Sequence, residues 1–272
     1  MTEHVLGIDI GGTGIKAALV DLSAGELATE RKRLKTPHPA KPKAVAQTVR
    51  KLLADDSLRS VKLAGAGFPA VMKAGVARTA ANIDSSWIGT DAAALLSEAA
   101  GMPVHVGNDA DVAGLAEMRY GAGKGVDGVV LMLTLGTGIG SAIFHDQVLV
   151  PNTELGHLEL NGKDAERTAA ASVIVRKNLS WKAYANRLDE YLQLVDRALW
   201  PDLIILGGGI SKTPEKFVPR LRIRAKVVPA RLGNNAGIIG AALFAAESAG
   251  LTGYRIHPVG EYAKPASDEA GQ

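Results

Sequence analysis

Asp9-Ile10-Gly11-Gly12-Thr13-Gly14-Ile15-Lys16 is the stretch of sequence that decides the fold. Residues 4–10 and 15–22 on either side are apolar runs, so the glycines lie in a turn between two predicted strands. A Rossmann fingerprint and a Walker loop both require a helix after the glycines, and this context excludes them. Glycines let several backbone N–H groups point together at an anion. The stretch therefore predicts a phosphate site whose residues are Asp9, Gly11, Gly12, Thr13, Gly14 and Lys16.

A second glycine turn occurs about 125 residues later in the same setting. It runs from Leu135 to Gly140 as LGTGIG and lies between the predicted strands 129–135 and 140–144. Two such loops on opposite sides of a cleft can hold a chain of phosphates from both sides. The pair predicts a phosphate-donor site that also includes Thr137 and Gly138.

The predicted elements repeat one order: strand, glycine turn, strand and helices. Further strands are predicted at 26–35, 61–67, 71–80, 103–106 and 203–206, and helices at 42–55, 92–100, 110–120, 165–177, 181–199 and 236–249. The strand 103–106 leads directly to Asn108-Asp109 at the start of a helix, where α/β folds bind their ligands.

Composition excludes several classes of protein and site. The 272 residues are 47% hydrophobic and 22% charged, which is typical of a globular protein of one or two domains. Since there is no cysteine, disulfides and thiolate zinc sites are excluded. No apolar stretch reaches 18 residues and the N-terminus lacks the basic start of a signal peptide, so we expect a cytoplasmic protein without a membrane partner.

Basic residues are clustered although the net charge is only +3. Residues 31–51 contain eight Lys and Arg and no carboxylate. Residues 220–226 alternate basic and apolar, so a strand there would present Arg220, Arg222, Arg224 and Lys226 on one face. Such a row suits a linear polyanion, but basic side chains also protect sheet edges and cover solvated surfaces. Both interpretations stay open.

From Leu6 to about Ala246 the chain resembles the ROK family of sugar kinases within the actin-like ATPase fold. The motifs that carry the resemblance are the phosphate motifs Asp9 to Lys16 and Thr134 to Gly140, the catalytic pair Asn108-Asp109, and an adenosine-side motif from Leu206 to Ser211 that contains Gly208 and Gly209. The resemblance implies a two-lobed α/β fold of the actin-like (ribonuclease H-like) type with a cleft between the lobes. It implies a small lobe of residues 1–107 plus a tail at about 251–272, and a large lobe of residues 108–250.

The resemblance also implies the roles of the site residues. Asp109 would be the general base that takes the proton of a sugar hydroxyl, and Asn108 would orient a neighbouring hydroxyl. A rival interpretation is that Asp109 only caps the helix that follows it. The implied sugar-binding residues are Asn82, Asn108, Asp109, Glu154, His157 and Glu166. For Asn82 a role in a turn is the alternative, and the spacing to Glu166 departs from the family pattern.

One departure from the family narrows the resemblance to a branch. Most members follow the motif that ends in His157 with a cysteine-rich, zinc-binding segment, which this chain lacks. With Asp164-Ala165-Glu166 and Leu179-Ser180-Trp181, it resembles the polyphosphate glucokinases and polyphosphate/ATP glucomannokinases. This implies phosphorylation of the 6-hydroxyl of glucose, with mannose left open, by inorganic polyphosphate, ATP or both. It also implies Mg²⁺ on the donor phosphates with Asp9 as a ligand through water, no zinc, and a homodimer.

Other functions fit less of the sequence. An ATP-dependent kinase for another hexose or an N-acyl hexosamine stays open, whereas a non-catalytic sugar sensor has no need of Asp109. No nucleic-acid partner is expected, because aromatic residues make up only 4% of the chain. Only three residues precede the first predicted strand, which leaves no room for a helix-turn-helix module. The basic segments 220–226 and 31–35 would instead guide a polyphosphate chain.

Overall fold

The computed structural model describes residues 4–58 and 60–251. Its helices are α1 (Pro42–Leu52), α2 (Ala92–Ala100), α3 (Asp109–Tyr120), α4 (Glu166–Ala169), α5 (Ser172–Arg176), α6 (Trp181–Leu199) and α7 (Ala236–Ser248). None of the helices within these ranges is both long and apolar enough to cross a membrane. The predicted ends of α2 are confirmed: the Asp91 side chain accepts a hydrogen bond from the Ala94 amide, and Gly101 closes the helix in the left-handed conformation with φ 69°.

The strands form two main sheets and two small hairpins. The first eight strands are β1 (His4–Ile10), β2 (Ile15–Asp21), β3 (Glu26–Leu27), β4 (Lys32–Leu34), β5 (Ala64–Phe68), β6 (Met72–Lys73), β7 (Val76–Ala77) and β8 (Val104–Asn108). The remaining strands are β9 (Val129–Leu135), β10 (Ile139–His145), β11 (Val148–Val150), β12 (Glu159–Leu160), β13 (Lys163–Asp164), β14 (Leu203–Gly207) and β15 (Lys226–Pro229). β6 pairs with β7 and β12 pairs with β13 in the two hairpins.

The two main sheets share one topology. The strand order is β3-β2-β1-β5-β8 in the first sheet, with β4 also paired to β2, and β11-β10-β9-β14-β15 in the second. In each sheet an antiparallel hairpin, β1–β2 or β9–β10, is extended by two parallel strands. The predicted repetition of strand, glycine turn and strand is therefore confirmed, and each glycine turn is the tip of one hairpin.

Helices α3 and α7 form a layer that contacts both sheets. Helix α7 lies on β1 and β5 of the first sheet, and α3 packs against α7 and against β10 of the second sheet. Glycines allow this close approach, because a Cβ atom at Gly65 would overlap the Ala241 carbonyl and one at Gly240 would overlap the Val112 carbonyl. The layer fixes the start of α3, where the candidate catalytic residues lie.

Each sheet has a second apolar core on its outer face. Outside the first sheet, α1 and α2 bury side chains around Phe68 and Trp87, whose ring centroids are 4.5 Å apart. Outside the second sheet, α6 buries Tyr184, Leu188 and Leu192 against β9 and β14. The order of layers is thus helices, sheet, the α3–α7 layer, sheet and helix.

The predicted strand 26–35 is wrong in part, because it forms the two short strands β3 and β4. Both pair with β2, but between the paired stretches β2 uses residues 18–19 while its partner uses residues 28–31. The two extra residues must leave the ladder as a bulge. The Thr29 hydroxyl accepts a hydrogen bond from the Leu19 amide at 3.0 Å and replaces a backbone partner there.

The predicted helix 165–177 is broken into α4 and α5. Ala170 lies between them in an extended conformation with ψ 152°. The amide of Ser172 donates to the Gly136 carbonyl at 3.0 Å instead of to a helical carbonyl, and the Tyr184 hydroxyl donates to the Ala169 carbonyl at 3.0 Å. Contacts distant in sequence therefore override a strong local preference for helix.

The predicted strand 220–226 is also wrong. Arg220 ends a short 3-10 turn, residues 221–225 form no regular element, and only Lys226 begins a strand, β15. The expected alternation is present, since the four basic residues are exposed while Leu221 and Ile223 are partly and Ala225 fully buried. The segment packs on α6 through ion pairs rather than through a ladder: Arg222 meets Asp189 at 3.1 Å and Arg224 meets Asp196 at 3.5 Å.

The division into lobes of residues 1–107 and 108–250 stays a prediction. Helices α3 and α7 each contact strands of the first sheet, although they belong to the predicted large lobe. The part of the predicted tail beyond residue 251 lies outside the described residues.

We predict that Gly240→Ala lowers the free energy of unfolding by about 1–3 kcal/mol or more, because the added methyl group forces α3 and α7 apart. Urea unfolding measures the change. The matched control is Gly209→Ala, where no described atom lies within 4 Å of the added carbon. Equal midpoints for wild type and Gly240→Ala would contradict the close approach of the two helices.

Candidate active site

The first turn of α3 is held by the side chain of Asn108. Its Oδ1 accepts hydrogen bonds from the amides of Ala110 at 2.8 Å and Asp111 at 3.1 Å, and its Nδ2 donates to the Ala70 carbonyl at 3.1 Å. These amides have no partner within the helix, so an Asn at the cap position supplies what the helix lacks. The rival interpretation of Asp109 as the cap is therefore wrong: Asn108 is the cap and Asp109 is the first helical residue.

A cleft of about 300 Å³ opens in front of this turn. It brings together ten of the residues that the sequence predicted: Gly12, Asn82, Asn108, Asp109, Thr137, Gly138, Glu154, His157, Glu166 and Gly208. Both glycine loops, the helix start and the segment around Glu154 therefore face one space. The other predicted residues do not line this cleft: Asp9, Gly11, Thr13, Gly14, Lys16, Gly209, Arg220, Arg222, Arg224 and Lys226.

Burial raises the pKa of Asp109 to about 7, and the negative charges of Asp9 and Glu154 contribute to the rise. The hydrogen bond from the Ala110 amide opposes it. A carboxylate with a pKa near neutral pH can both accept and release a proton there, which is what a general base requires.

In the loop between β1 and β2 the backbone carbonyls are hydrogen-bonded and several backbone amides are free among the residues described. The Gly11 carbonyl accepts from the Thr36 hydroxyl, the Thr13 carbonyl accepts from the Arg33 guanidinium, and the Gly14 carbonyl accepts from the Gly11 amide. The amides of residues 12–14 donate to no acceptor within the described residues. A curved run of unpaired amides is an anion-binding concavity.

The loop between β9 and β10 has the same construction. The carbonyls of Gly136 and Thr137 accept from the amide and hydroxyl of Ser172, and the Gly138 carbonyl accepts from the Gly136 amide. In the described part of the chain, the amides of Thr137 and Gly138 have no acceptor. Both hairpin tips thus carry free amides, and of these residues Gly12, Thr137 and Gly138 line the cleft.

Asp9 and Lys16 lie behind the first loop as an ion pair, with Nζ and Oδ2 2.6 Å apart. They occupy paired positions on β1 and β2. The Asp9 carboxylate also faces the start of α7, since a Cβ atom at Gly237 would lie 3.1 Å from its carboxyl carbon. A helix N-terminus favours a negative charge, so the start of α7 is a second favourable partner of the Asp9 carboxylate besides Lys16.

Glu154, His157 and Glu166 lie together at the other end of the cleft. His157 Nε2 is 3.8 Å from Glu154 Oε2, and its Nδ1 is 3.3 Å from Asp164 Oδ2. Glu166 Oε2 accepts from the Ile139 amide at 3.3 Å, directly beside the second loop. Burial and the charge of Glu166 raise the pKa of Glu154, while His157 lowers it. Several carboxylate oxygens and an imidazole are suited to bind a polyhydroxylated ligand.

Three of these polar groups could also hold a cation. Single ligand atoms of His157, Asp164 and Glu166 lie within 4.8 Å of one another. Asp164 was not predicted as a site residue, because its contact with His157 depends on the β12–β13 hairpin that joins them.

Sequence reasoning missed Ser141, which lines the cleft beside the second loop. Its hydroxyl donates to the Thr153 carbonyl at 2.7 Å and accepts from the Leu155 amide at 3.0 Å. Ser141 therefore positions the backbone on both sides of Glu154. The only signal in the sequence that pointed to Ser141 was its position directly after Gly140.

Sequence reasoning also missed the link between Asp111 and Asn152. Asp111 Oδ2 accepts from the Asn152 amide at 2.7 Å, and the Asn152 side chain bonds to both the amide and the carbonyl of Met72, at 2.7 and 3.0 Å. Asp111 is buried, its Oδ1 has no partner among the described residues, and burial raises its pKa to about 8. The link joins the segment after β11 to the β6–β7 hairpin. It therefore fixes the position of these two parts of the cleft relative to each other.

Comparison with known proteins identifies the family. Residues 5–173 match the ROK family. A polyphosphate glucokinase of Mycobacterium tuberculosis (strain ATCC 25618 / H37Rv) is 50% identical over 242 residues, which cover 89% of this chain and 91% of that protein. A polyphosphate glucokinase of Mycobacterium leprae (strain TN) is 48% identical over 87% of this chain and 73% of its own length. The chain belongs to the ROK family.

Solved structures confirm the fold. The inorganic polyphosphate/ATP-glucomannokinase from Arthrobacter sp. strain KM superposes with a TM-score of 0.85 at 52% identity, covering 89% of this chain and 97% of that chain. A ROK family glucokinase from Streptomyces griseus, solved with glucose and AMPPNP, superposes with a TM-score of 0.78 at 24% identity, covering 89% and 99%. The predicted two-lobed actin-like α/β fold is thus confirmed.

We predict that Asn152→Ala loosens the contact between the two parts of the cleft. The variant loses both hydrogen bonds to Met72, so its free energy of unfolding should fall by about 1–3 kcal/mol and the Met72 amide should exchange hydrogen faster. Asn178→Ala is the matched control, because Asn178 has a similar left-handed backbone (φ 47° against 61°) but is exposed. Equal effects of the two substitutions on stability and exchange would contradict the link.

Proposed function

We propose that this protein transfers the terminal phosphoryl group of inorganic polyphosphate or ATP to the 6-hydroxyl of glucose, with Asp109 as the general base. The observation that carries the proposal is the convergence of two amide-lined loops and the Asp109 carboxylate on one cleft. The identities of 50% and 52% to polyphosphate-using sugar kinases support the substrates. Mannose as a second acceptor is part of the proposal, because one of these relatives is a glucomannokinase.

In the proposed reaction the sugar oxygen attacks the terminal phosphorus while Asp109 accepts its proton. The bond from phosphorus to the bridging oxygen breaks, and the shortened polyphosphate or ADP leaves with the electron pair. The unpaired amides of Gly12, Thr137 and Gly138, which line the cleft, would stabilise charge on the phosphoryl oxygens. Asp109 then releases the proton to solvent, which its pKa of about 7 allows at neutral pH.

The sugar would lie between the start of α3 and the segment that carries Glu154. Carboxylates of Glu154 and Glu166 can accept hydrogen bonds from sugar hydroxyls, and His157 can donate or accept. Asn108 uses its Oδ1 for the helix cap, so only the second hydrogen of its Nδ2 is available to a sugar oxygen. Asn82 approaches both loops, with its side chain near Gly138 and its backbone near Gly12. We place it at the junction of sugar and donor.

Magnesium fits the charges of this site. The charge of Asp9 raises the pKa of Asp109, so the two carboxylates are near each other, and only one Asp9 oxygen is engaged by Lys16. We propose that Asp9 holds Mg²⁺ through water on the donor phosphates, where the ion would offset the charge of the phosphate chain. We further propose that the protein acts in the cytoplasm as a homodimer; sedimentation would test the dimer.

The test is glucose 6-phosphate formation with Mg²⁺ and a single donor, either ATP or long-chain polyphosphate. We expect activity with polyphosphate, and a loss of about 10²–10⁴-fold in kcat for Asp109→Asn because the proton acceptor is removed. The exposed Asp127→Asn is the control and should retain wild-type activity. Activity with ATP alone would contradict polyphosphate as a donor. Full activity of Asp109→Asn would contradict Asp109 as the general base.

We predict that kcat/KM for glucose falls as the pH drops below about 7. Asp109 has a raised pKa of about 7, so its protonated form, which cannot accept the hydroxyl proton, predominates at lower pH. Because Glu154 contributes to the rise, Glu154→Gln should move the inflection to lower pH. The residual activity of Asp109→Asn should lack the inflection. A profile that is the same in all three proteins would show that the donor phosphates titrate instead.

A further inference from the structure

We propose that Arg33 and Arg31 form the polyphosphate-binding edge of the donor site and favour a long polyphosphate over ATP. This inference rests on the proposed function and deepens it, because it names the residues that would distinguish the two donors. It keeps the role that the sequence suggested for residues 31–35 and departs from the same role suggested for the segment 220–226.

Arg33 lies next to the phosphate loop by strand register. Asp9 pairs with Lys16 across β1 and β2, and Lys16 pairs with Arg33 across β2 and β4. The three side chains therefore form a row on one face of the sheet. Asp9 already balances the charge of Lys16 at 2.6 Å, so Arg33 is the basic member of this row that has no carboxylate partner within the described residues.

The guanidinium of Arg33 contacts the loop itself. A Cβ atom at Gly14 would lie 2.6 Å from its Nε and 2.9 Å from its Nη2, and Nη2 donates to the Thr13 carbonyl at 3.3 Å. Gly12, two residues before Gly14, lines the cleft. One side of the guanidinium thus touches the loop while the residue stays exposed to solvent. Arginine in this position can bind phosphate oxygens with two parallel hydrogen bonds.

Arg31 extends the same edge towards α7. Its Nη1 donates to the Asn235 side chain at 3.1 Å and to the Asn234 carbonyl at 3.4 Å, just before the helix begins. Arg31 and Arg33 are two residues apart and both exposed. A donor whose end lies in the loop could therefore meet Arg33 first and Arg31 with its more distant phosphates.

These two arginines differ from the segment 220–226 in how their charge is balanced. Within the described ranges, no carboxylate lies within 4.0 Å of Arg31 or Arg33. Arg222 and Arg224 are paired with Asp189 and Asp196, and Arg224 also stacks on Trp200 at 4.3 Å. A paired arginine attracts a polyanion less than an unpaired one. Arg33 also contacts the loop through the Thr13 carbonyl. Neither the two arginines nor the residues of 220–226 line the cleft itself.

The test compares Arg33→Gln and Arg31→Gln with wild type, using tripolyphosphate, long-chain polyphosphate and ATP as single donors at saturating glucose and Mg²⁺. We expect Arg33→Gln to lower kcat/KM for long-chain polyphosphate by about tenfold or more, as for a lost charged hydrogen bond, and for ATP by less than about threefold. Arg31→Gln should weaken only the long donor. Lys51→Gln, which removes an exposed charge from the same basic cluster, is the control and should leave kcat/KM unchanged for all three donors.

A structural role for Arg33 would give a different result. If Arg33 only supports the loop through the Thr13 carbonyl, Arg33→Gln should weaken all three donors equally, which would overturn the inference. Unchanged kinetics with polyphosphate would overturn it as well. Equilibrium binding of long-chain polyphosphate to wild type and Arg33→Gln can be measured without turnover. Equal affinities of the two proteins would refute the polyphosphate-binding edge. Wild type that binds polyphosphate through Arg33 without transferring phosphate would refute the proposed function alone.

Discussion

The site depends on one constraint: the first amides of α3 have no partner within the helix and need an acceptor outside it. A helix that begins inside the protein must find acceptors for these groups, and Asn108 supplies one side-chain oxygen to two of them. Its side-chain nitrogen donates to the Ala70 carbonyl, and in the same first turn Asp111 accepts a hydrogen bond from the Asn152 amide. One turn of helix therefore connects the strand that precedes Asp109 to both walls of the cleft, so Asp109 has a fixed position relative to those walls.

The parts of the structure that could be predicted from sequence are those with local causes. The glycine turns lie between strands, Asp91 and Gly101 bound α2, and ten predicted site residues share one cleft. The failures have long-range causes: the bulge at residues 28–31 depends on its partner strand, and the break at Ala170 depends on Ser172 turning to the second loop. The Asp111–Asn152 link joins residues 41 apart that carry no motif.

The two basic segments show a related limit of sequence patterns. Alternation correctly indicated which side of 220–226 faces solvent, but not that α6 places Asp189 and Asp196 under its arginines. The segment 31–35 has no regular alternation, yet strand register brings Arg33 to the phosphate loop. A charge becomes informative about ligands only when its partners are known, and these partners come from other parts of the chain.

At both hairpin tips the main-chain carbonyls are hydrogen-bonded and the amides are free among the described residues. Among single substitutions only proline removes a backbone amide, so the atoms proposed to bind the donor are hardly changed by mutation. Evolution can adjust this site only through the side chains that hold or border the loops, such as Thr36, Ser172 and Arg33. A change of phosphate source during descent would then leave the glycine motifs intact. Related sequences that use different phosphate donors should therefore differ at those neighbouring positions.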